Sequence, residues 1–400
     1  MADGTKIEWT DMTWTPIRAR HIELQNDGSG KLRLGWHCER VSEGCRNCYA
    51  EGINRRLGTG LDFKPGNLFR SERDGPADGA ALFLDDRILT EPLRKRAARM
   101  IFVCSMTDLF AHFVPREWID WIFAIIALSP QHTFQVLTKR PARMREYLSS
   151  PATWHRIYEI VCDLAVNEIA KVLLIGQEGP YADPTFAPHR QRVHLGNWPL
   201  PNVWLGVSVE DQPRADARIP ILLDTPAAIR WISTEPLLGM LNVLPYLFIY
   251  THTDHAVLTG DGDLSEPLPY RDPATTKPED IASPRLDWVV CGGESGPNAR
   301  PMHPDWARSL RDQCAMADVP FLLKQWGSWF SVLDRDNDDP DWRANYSRHK
   351  RGGNRVLNLA GGCGFHGERV HIMQRMSKTA AGRTLDGVTH DAYPEVPLHA

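Results

Sequence analysis

The chain has 400 residues, of which 42% are hydrophobic and 24% charged, which is typical of soluble globular proteins. The net charge of −4 excludes a global basic field of the kind that attracts nucleic acid. The sequence contains no apolar run of about 18 residues, so we expect no transmembrane helix. The opening segment MADGTKIEWTD lacks the apolar core of a secretory leader, so we expect a cytoplasmic protein without membrane contact.

Short apolar runs with the character of buried strands alternate with helical segments along the chain. Amphipathic patterns over 117–128 and 304–317 predict two of these helices. This alternation predicts a parallel sheet covered by helices, and the lack of a dinucleotide fingerprint favours a (β/α) barrel of partial or modified TIM type over a Rossmann sheet. The strand-like runs begin at Ile101, Phe134, Val203, Ile229, Trp288 and Pro320.

The domain organisation follows from these runs. We predict a barrel domain over 1–330, with loop insertions at 18–34, 171–198 and 246–284 that are rich in turn residues. The first insertion contains QNDGSGK, which predicts the tip of a hairpin. Residues 331–400 form a polar C-terminal extension that we expect to pack on or beside the barrel.

Polar side chains follow each predicted strand. Because ligands bind at the carboxyl ends of parallel strands, we expect these side chains to share one pocket. They are Ser105, Thr107, Asp108, Thr138, Lys139, Arg140, Ser208, Glu210, Asp211, Ser233, Thr234, Glu235, Glu294, Ser295, Lys324, Gln325 and Trp326.

Three cysteines, Cys38, Cys45 and Cys48, lie close together with the spacing C-x6-C-x2-C. A closed zinc site takes four ligands, whereas a four-iron, four-sulfur (4Fe–4S) cluster on three thiolates keeps one iron open. The segment YAEGINRRL after Cys48 predicts a helix whose first N–H groups would stabilise thiolate charge at the cluster.

Two other interpretations of this cysteine cluster stay open. One is a zinc site with a fourth ligand, and the other is a set of buried free thiols. The candidate fourth ligands are His37, Cys363, His366 and His371. Cys104 and Cys291 lie inside strand-like runs, which predicts core positions for them.

Several motifs in the same order resemble the phage Gp37/Gp68 family of phage and prophage proteins. The resemblance implies a phage or prophage protein expressed in a bacterial host, and the family's name carries no activity. The motifs are TKIEWTDMTWTPI, GCRNCYAE, FVCSMTDLF, HTFQVLTKRP, NVWLGVSVEDQ, ISTEPLLG, VVCGGESGPNARPMHPDW and FLLKQWG.

The run TWTP followed by GC-x2-CYA is more distantly similar to radical S-adenosylmethionine enzymes, in particular the spore photoproduct lyase-like branch. This resemblance implies a 4Fe–4S cluster on Cys38, Cys45 and Cys48, with S-adenosylmethionine on the open iron. The first cysteine gap here is six residues, where the superfamily usually has three. Gly292-Gly293-Glu294 is similar to the superfamily's Gly-Gly-Glu element, although it follows a late strand.

The resemblance implies an enzyme that forms a 5′-deoxyadenosyl radical and abstracts hydrogen from a substrate, with an electron donor as partner. A nucleotide or nucleic-acid base is one candidate substrate, and Arg140, Arg143 and Arg145 are candidates for meeting its phosphate. The alternative is a non-catalytic zinc protein that binds nucleic acid or a host protein. The candidate catalytic residues are Glu294, Glu235 and Lys324, and the candidate cofactor-binding residues are Asp108, Ser208, Glu210, Gly292 and Gly293.

Overall fold

The computed structural model describes residues 2–5, 7–68, 79–166, 198–248, 284–335, 353–362 and 370–395. Its centre is an eight-stranded sheet in which seven strands run parallel and curl into a half-barrel. The α/β class and the parallel, partly closed sheet were both predicted. Among the described residues, no helix is long and apolar enough to cross a bilayer.

The elements alternate as the sequence pattern indicates. The strands are β1 Ala2–Asp3, β2 Met12–Trp14, β3 Ile17–Leu24, β4 Gly30–Gly35, β5 Ala81–Leu84, β6 Met100–Val103, β7 Thr133–Thr138, β8 Val203–Ser208, β9 Ile229–Thr234, β10 Trp288–Gly292, β11 Phe321–Gln325, β12 Trp329–Arg335, β13 Arg355–Leu357, β14 Val370–Arg375, β15 Thr384–Leu385 and β16 Val388–Thr389. The helices are α1 Tyr49–Leu57, α2 Asp86–Leu89, α3 Arg116–Ala127, α4 Pro141–Ser149, α5 Pro151–Val166, α6 Gln212–Leu223, α7 Pro304–Met316 and α8 Lys378–Ala381.

The strand order explains why the sheet resembles part of a barrel. The order β1-β2-β6-β7-β8-β9-β10-β11 follows the chain without reversal, so no topological switch point of the doubly wound kind exists. At the two outer edges of the open sheet, β1 pairs antiparallel with β2, and Asp391 bridges to Leu322 on β11. All six predicted strands are present, and β2 is a further strand that its short length concealed.

The two faces of the sheet bury different cores. On the convex face, apolar residues of the strands pack under the helices, as Val136, Ile232 and Leu323 do. On the concave face, aromatic side chains fill the lower part of the half-barrel. Rings of Trp9 and Trp231 lie 5.1 Å apart, with an edge-to-face geometry that aromatic pairs favour. The members of this tryptophan floor are Trp9, Phe102, Trp204, Ile229, Trp231, Trp288, Val290 and Leu322.

Gly206 on β8 makes room for that floor. A Cβ atom at this position would overlap the Trp231 indole, with the ring's Nε1 only 2.6 Å away. The large ring can therefore lie flat over the neighbouring strand because β8 carries no side chain there.

Among the described residues, two three-stranded sheets accompany the half-barrel, and β15 and β16 form a separate two-stranded sheet. The first insertion forms the hairpin of β3 and β4 that was predicted, and β5 joins it in the order β4-β3-β5. The C-terminal extension contains a second sheet, β12-β14-β13, which its polar composition did not predict. Nearly all of the insertions at 171–198 and 246–284 lies outside the described residues, as do Cys363 and His366.

Candidate functional site

A cavity of about 1120 Å³, counted out to its open mouth, lies above the tryptophan floor at the carboxyl ends of the parallel strands. Its upper wall carries the three clustered cysteines. Strand-end residues from six strands meet here, so the predicted shared pocket is present. Those that line it are Ser105, Thr107, Asp108, Thr138, Lys139, Arg140, Ser208, Ser233, Glu235, Glu294, Ser295 and Lys324.

The cysteine loop, residues 37–48, crosses this mouth between the hairpin sheet and α1. Cys38, Cys45 and Cys48 are half-buried free thiols on the wall of the cavity. Cys48 is the N-cap of α1, and the helix begins where the sequence predicted. Burial raises the pKa of the Cys48 thiol, although the nearby backbone N–H groups of Glu51 and Ala50 oppose this shift.

The donor set fits a cluster better than one tetrahedral ion. Two thiolates on the same zinc lie about 3.8 Å apart, given a Zn–S bond near 2.3 Å. Among the described residues, the three sulfur atoms do not all lie within 4.8 Å of one another, so they are spread more widely than the ligands of one zinc ion. Wider spacing suits a cluster, where each thiolate binds a different iron.

The Cys38 and Cys48 thiols carry protons in the metal-free chain, because burial raises the pKa of both. Burial, with the Asp108 carboxylate nearby, raises the pKa of Cys38 to about 12, although the Arg140 guanidinium opposes this shift. Because only the thiolate binds metal, loading the site must release protons.

Glu210 anchors the first half of the cysteine loop. The Ser42 hydroxyl donates to its Oε1, and Arg218 Nη1 donates to its Oε2 at 2.9 Å. Burial opposes ionisation of this carboxyl, but Lys139, Arg218 and the Ser42 hydroxyl outweigh it and lower the pKa of Glu210. Glu210 therefore faces the loop, and its predicted contact with a cofactor stays a prediction.

Glu294 anchors the second half of the loop. Asn47, which lies between Cys45 and Cys48, donates through Nδ2 to Glu294 Oε2 at 2.9 Å. Arg300 donates to both carboxylate oxygens, at 2.7 and 3.0 Å, and also to the Glu43 carbonyl. Burial raises the pKa of Glu294, but the Arg300 and Asn47 hydrogen bonds outweigh it, so the group is ionised at neutral pH.

Asp108 organises the ends of β6 and β7. Its carboxylate accepts from Thr138 Oγ1 at 2.7 Å, from the Lys139 N–H at 3.1 Å and from Arg140 Nη1 at 2.9 Å. Arg140 in turn donates to the Glu39 carbonyl in the cysteine loop, and the neighbouring Thr107 hydroxyl donates to the His37 carbonyl. The ends of β6 and β7 thus hold the cysteine loop through a hydroxyl and a charged side chain.

Glu235 and Lys324 form an ion pair on the opposite wall. Lys324 Nζ lies 2.6 Å from Glu235 Oε2, and Gln325 Nε2 donates to Oε1 at 2.7 Å. The two side chains are 21% and 10% exposed, so a ligand in the cavity can reach them. Ser208 lines the same cavity. A charged ligand at these residues would have to replace bonds of the existing ion pair.

Gly292 and Gly293 lie at and just beyond the end of β10, and their predicted contact with a cofactor stays a prediction. Neither residue has positive φ, so a left-handed backbone conformation is not the reason for glycine here. Instead, a Cβ at Gly293 would overlap the Trp326 carbonyl, and one at Gly292 would lie 3.3 Å from the Glu235 side chain. These glycines let β10 and β11 approach each other beside the ion pair.

The arginines that follow β7 already have partners. Arg143 donates to the Ala111 and Val114 carbonyls, and Arg145 Nη1 lies 3.2 Å from Asp224. With Arg140 bound to Asp108, a phosphate at these residues would have to replace existing bonds.

Sequence reasoning missed several residues that build the site, among them Ser42, Asn47 and Arg300. Each acts through contacts between distant parts of the chain, such as the 247-residue separation of Asn47 and Glu294. The available signal was their position: Ser42 and Asn47 lie inside the cysteine spacing, and Arg300 closely follows Glu294.

Comparison with known proteins gives a family but no activity. Residues 33–394 match the family described as "Protein of unknown function (DUF5131)", and the chain belongs to that family. No curated protein and no solved structure matches the chain.

Proposed function

We propose that this DUF5131 protein is an iron–sulfur enzyme of the radical S-adenosylmethionine type. The observation that carries the proposal is the arrangement of Cys38, Cys45 and Cys48 on one wall of a cavity at the carboxyl ends of parallel strands. A 4Fe–4S cluster bound there with S-adenosylmethionine would supply a 5′-deoxyadenosyl radical. The resemblance to the phage Gp37/Gp68 family is compatible with this activity but adds no chemistry.

The residues of the chain have separate roles in this proposal. Cys38, Cys45 and Cys48 hold the cluster, and Glu210 and Glu294 fix the loop that carries them. Glu235 and Lys324 bind and orient the cofactor or substrate, since their charges face the cavity from the other wall.

Exclusion of water is the second task of the site. The tryptophan floor closes the cavity from below, and the cysteine loop covers part of its mouth. A reactive radical needs this protection from side reactions. The electron donor must approach from the mouth, where Cys45 lies beside exposed Val41.

The experiment is anaerobic reconstitution with iron and sulfide, followed by EPR of the reduced protein with and without S-adenosylmethionine. We expect a cluster signal that changes when S-adenosylmethionine is added. An unchanged signal would refute cofactor binding at an open iron. No iron uptake, with zinc in the purified protein, would support the alternative of a non-catalytic zinc protein.

Substrate class requires a second measurement. If a nucleotide or nucleic-acid base is the substrate, it should be converted into a product, and its presence should speed the formation of 5′-deoxyadenosine, because the radical takes its hydrogen atom from the substrate. Equal rates with and without a panel of nucleotides and single-stranded oligonucleotides would exclude that class.

A further inference from the structure

A second group of donor side chains lies where α7 meets β14, and none of its members lines the cavity. His303, Asp305 and His371 each offer one ligand atom, and these atoms all lie within 4.8 Å of one another. Within the ranges that the structure describes, no other three His, Cys, Asp or Glu residues meet this condition. We propose that they bind one divalent first-row transition-metal ion, which joins α7 to the C-terminal sheet.

The distances place two imidazoles around a single carboxylate oxygen. Asp305 Oδ2 lies 3.9 Å from His303 Nδ1 and 3.7 Å from His371 Nε2. Both separations exceed the length of a hydrogen bond. Donors that share one ion at about 2.1 Å lie roughly 3.0 to 3.6 Å apart, so contraction by a few tenths of an ångström completes the site.

The surrounding hydrogen bonds orient these donors. Ser331 Oγ on β12 lies 3.0 Å from His371 Nδ1, which leaves Nε2 facing Asp305. Such a contact at the other ring nitrogen is the usual support of a metal-bound histidine. Arg308 donates to Asp305 Oδ1 at 2.7 Å, and Oδ2 is the oxygen that lies between the two imidazoles.

Burial favours a dry, defined site. His303 and His371 are fully buried, and their rings meet edge to face with centroids 4.5 Å apart. Two imidazoles and one carboxylate suit zinc, cobalt or ferrous iron, whereas calcium and magnesium prefer oxygen ligands alone.

Two features of α7 disfavour the binding of a cation at this site. The positive end of the helix dipole lies at His303 and Asp305, so the negative charge of Asp305 is essential for cation affinity. His303 Nδ1 accepts the Asp305 N–H at 3.1 Å, and coordination through this atom must replace that bond.

The test uses Co²⁺ as the probe. Its visible spectrum separates the sites, because thiolate ligands add intense charge-transfer bands, whereas histidine and carboxylate ligands give only weak d–d bands. We expect the full-length C38A/C45A/C48A protein to bind one equivalent of Co²⁺ with d–d bands alone. The same bands should appear in the wild type, which covers the case in which the triple variant does not fold.

In the C38A/C45A/C48A background, Asp305→Asn should weaken Co²⁺ binding at least tenfold, and Ser331→Ala should weaken it less. His155→Asn is the matched control, since His155 is an exposed histidine paired with Glu159 on α5. Excess Mg²⁺ should not compete. Lack of Co²⁺ binding outside the thiols, or equal affinity in D305N and S331A, would overturn the proposal and leave a hydrogen-bonded link between helix and sheet.

Discussion

Asn47 and Glu294 lie 247 residues apart in the chain, yet the Asn47 side-chain amide donates a 2.9 Å hydrogen bond to the Glu294 carboxylate. Asn47 lies between two of the clustered cysteines, and Glu294 follows a strand late in the parallel sheet. The geometry of the thiols therefore depends on the sheet as well as on the loop itself.

Loss of Glu294's charge should loosen the cysteine loop. In Glu294→Gln, the ionic hydrogen bonds of Arg300 are lost, which should lower the free energy of unfolding by about 1–3 kcal/mol. Alkylation of the metal-free thiols should become several-fold faster, as measured by mass spectrometry with iodoacetamide. Glu146→Gln is the control, because that exposed carboxylate only faces Arg116 at 3.7 Å. Equal alkylation rates in both variants would show that Glu294 does not hold the loop.

Each clustered cysteine should be necessary for the cluster. Cys38→Ala, Cys45→Ala and Cys48→Ala should each lose nearly all cluster iron after reconstitution, as measured by iron analysis and absorbance. Cys314 lies in the buried face of α7, outside the cavity. Cys314→Ala and Cys104→Ala should both retain the cluster iron. Equal loss of iron in all five variants would refute the ligand assignment.

The Glu235–Lys324 pair should show coupling in a double-mutant cycle. Removal of one partner leaves the other charge poorly solvated, so Glu235→Gln and Lys324→Met should each destabilise the fold by about 1–3 kcal/mol. The loss of unfolding free energy in the double variant should be smaller than the sum of the losses in the two single variants. Urea titration gives the free energy of unfolding of the wild type and the three variants. Strict additivity of the two single changes would mean that the 2.6 Å contact contributes nothing to stability in solution.

Gly206 should tolerate no side chain. Gly206→Ala places a methyl group against the Trp231 ring and should destabilise the protein by about 1–3 kcal/mol. In Gly239→Ala, nothing lies within 4 Å of the added Cβ, so the change should stay within about 0.5 kcal/mol. Thermal melts of the two variants give the comparison, and similar values would contradict the close packing of the floor.

His132 should make stability depend on pH. Burial lowers the pKa of this histidine, so below about pH 6.5 the unfolded chain takes up a proton that the folded chain excludes. Stability should therefore fall as the pH falls from 6.5, by at most about 1.4 kcal/mol per pH unit for this group. His132→Gln should reduce the slope between about pH 7 and pH 5.5 in urea titrations. An identical slope in the variant would exclude His132 as a source.

The fold was largely predictable because its signals are local. Buried parallel strands read as apolar runs, such as Phe134 onward, and α7 was marked by its amphipathic pattern from Pro304. The strand β2 has only three residues, Met12–Trp14, which is too short for a periodic signal. The sheet β12-β14-β13 is built from polar segments whose pairing is set by contacts between distant residues.

The residues that line the site could be predicted from the sequence, but the residues that they contact could not. The carboxyl ends of the strands meet at one edge, so residues such as Ser208 and Glu235 could be placed in one pocket from sequence. The bonds of Glu210 to Ser42 and of Glu294 to Asn47 join residues 168 and 247 positions apart, and no local pattern encodes them. The group His303, Asp305 and His371 was missed for the same reason, since β14 meets α7 only in the folded chain.

The fluorescence of the tryptophan floor also reports on whether the cavity is occupied. Trp9 lines the cavity, and its ring lies 5.1 Å from Trp231 and 6.4 Å from Trp288. At these separations, excitation energy passes readily between the indoles, so they respond as one chromophore. A coloured ligand bound above them would accept that energy and quench the ultraviolet emission, which provides a label-free measure of how full the cavity is.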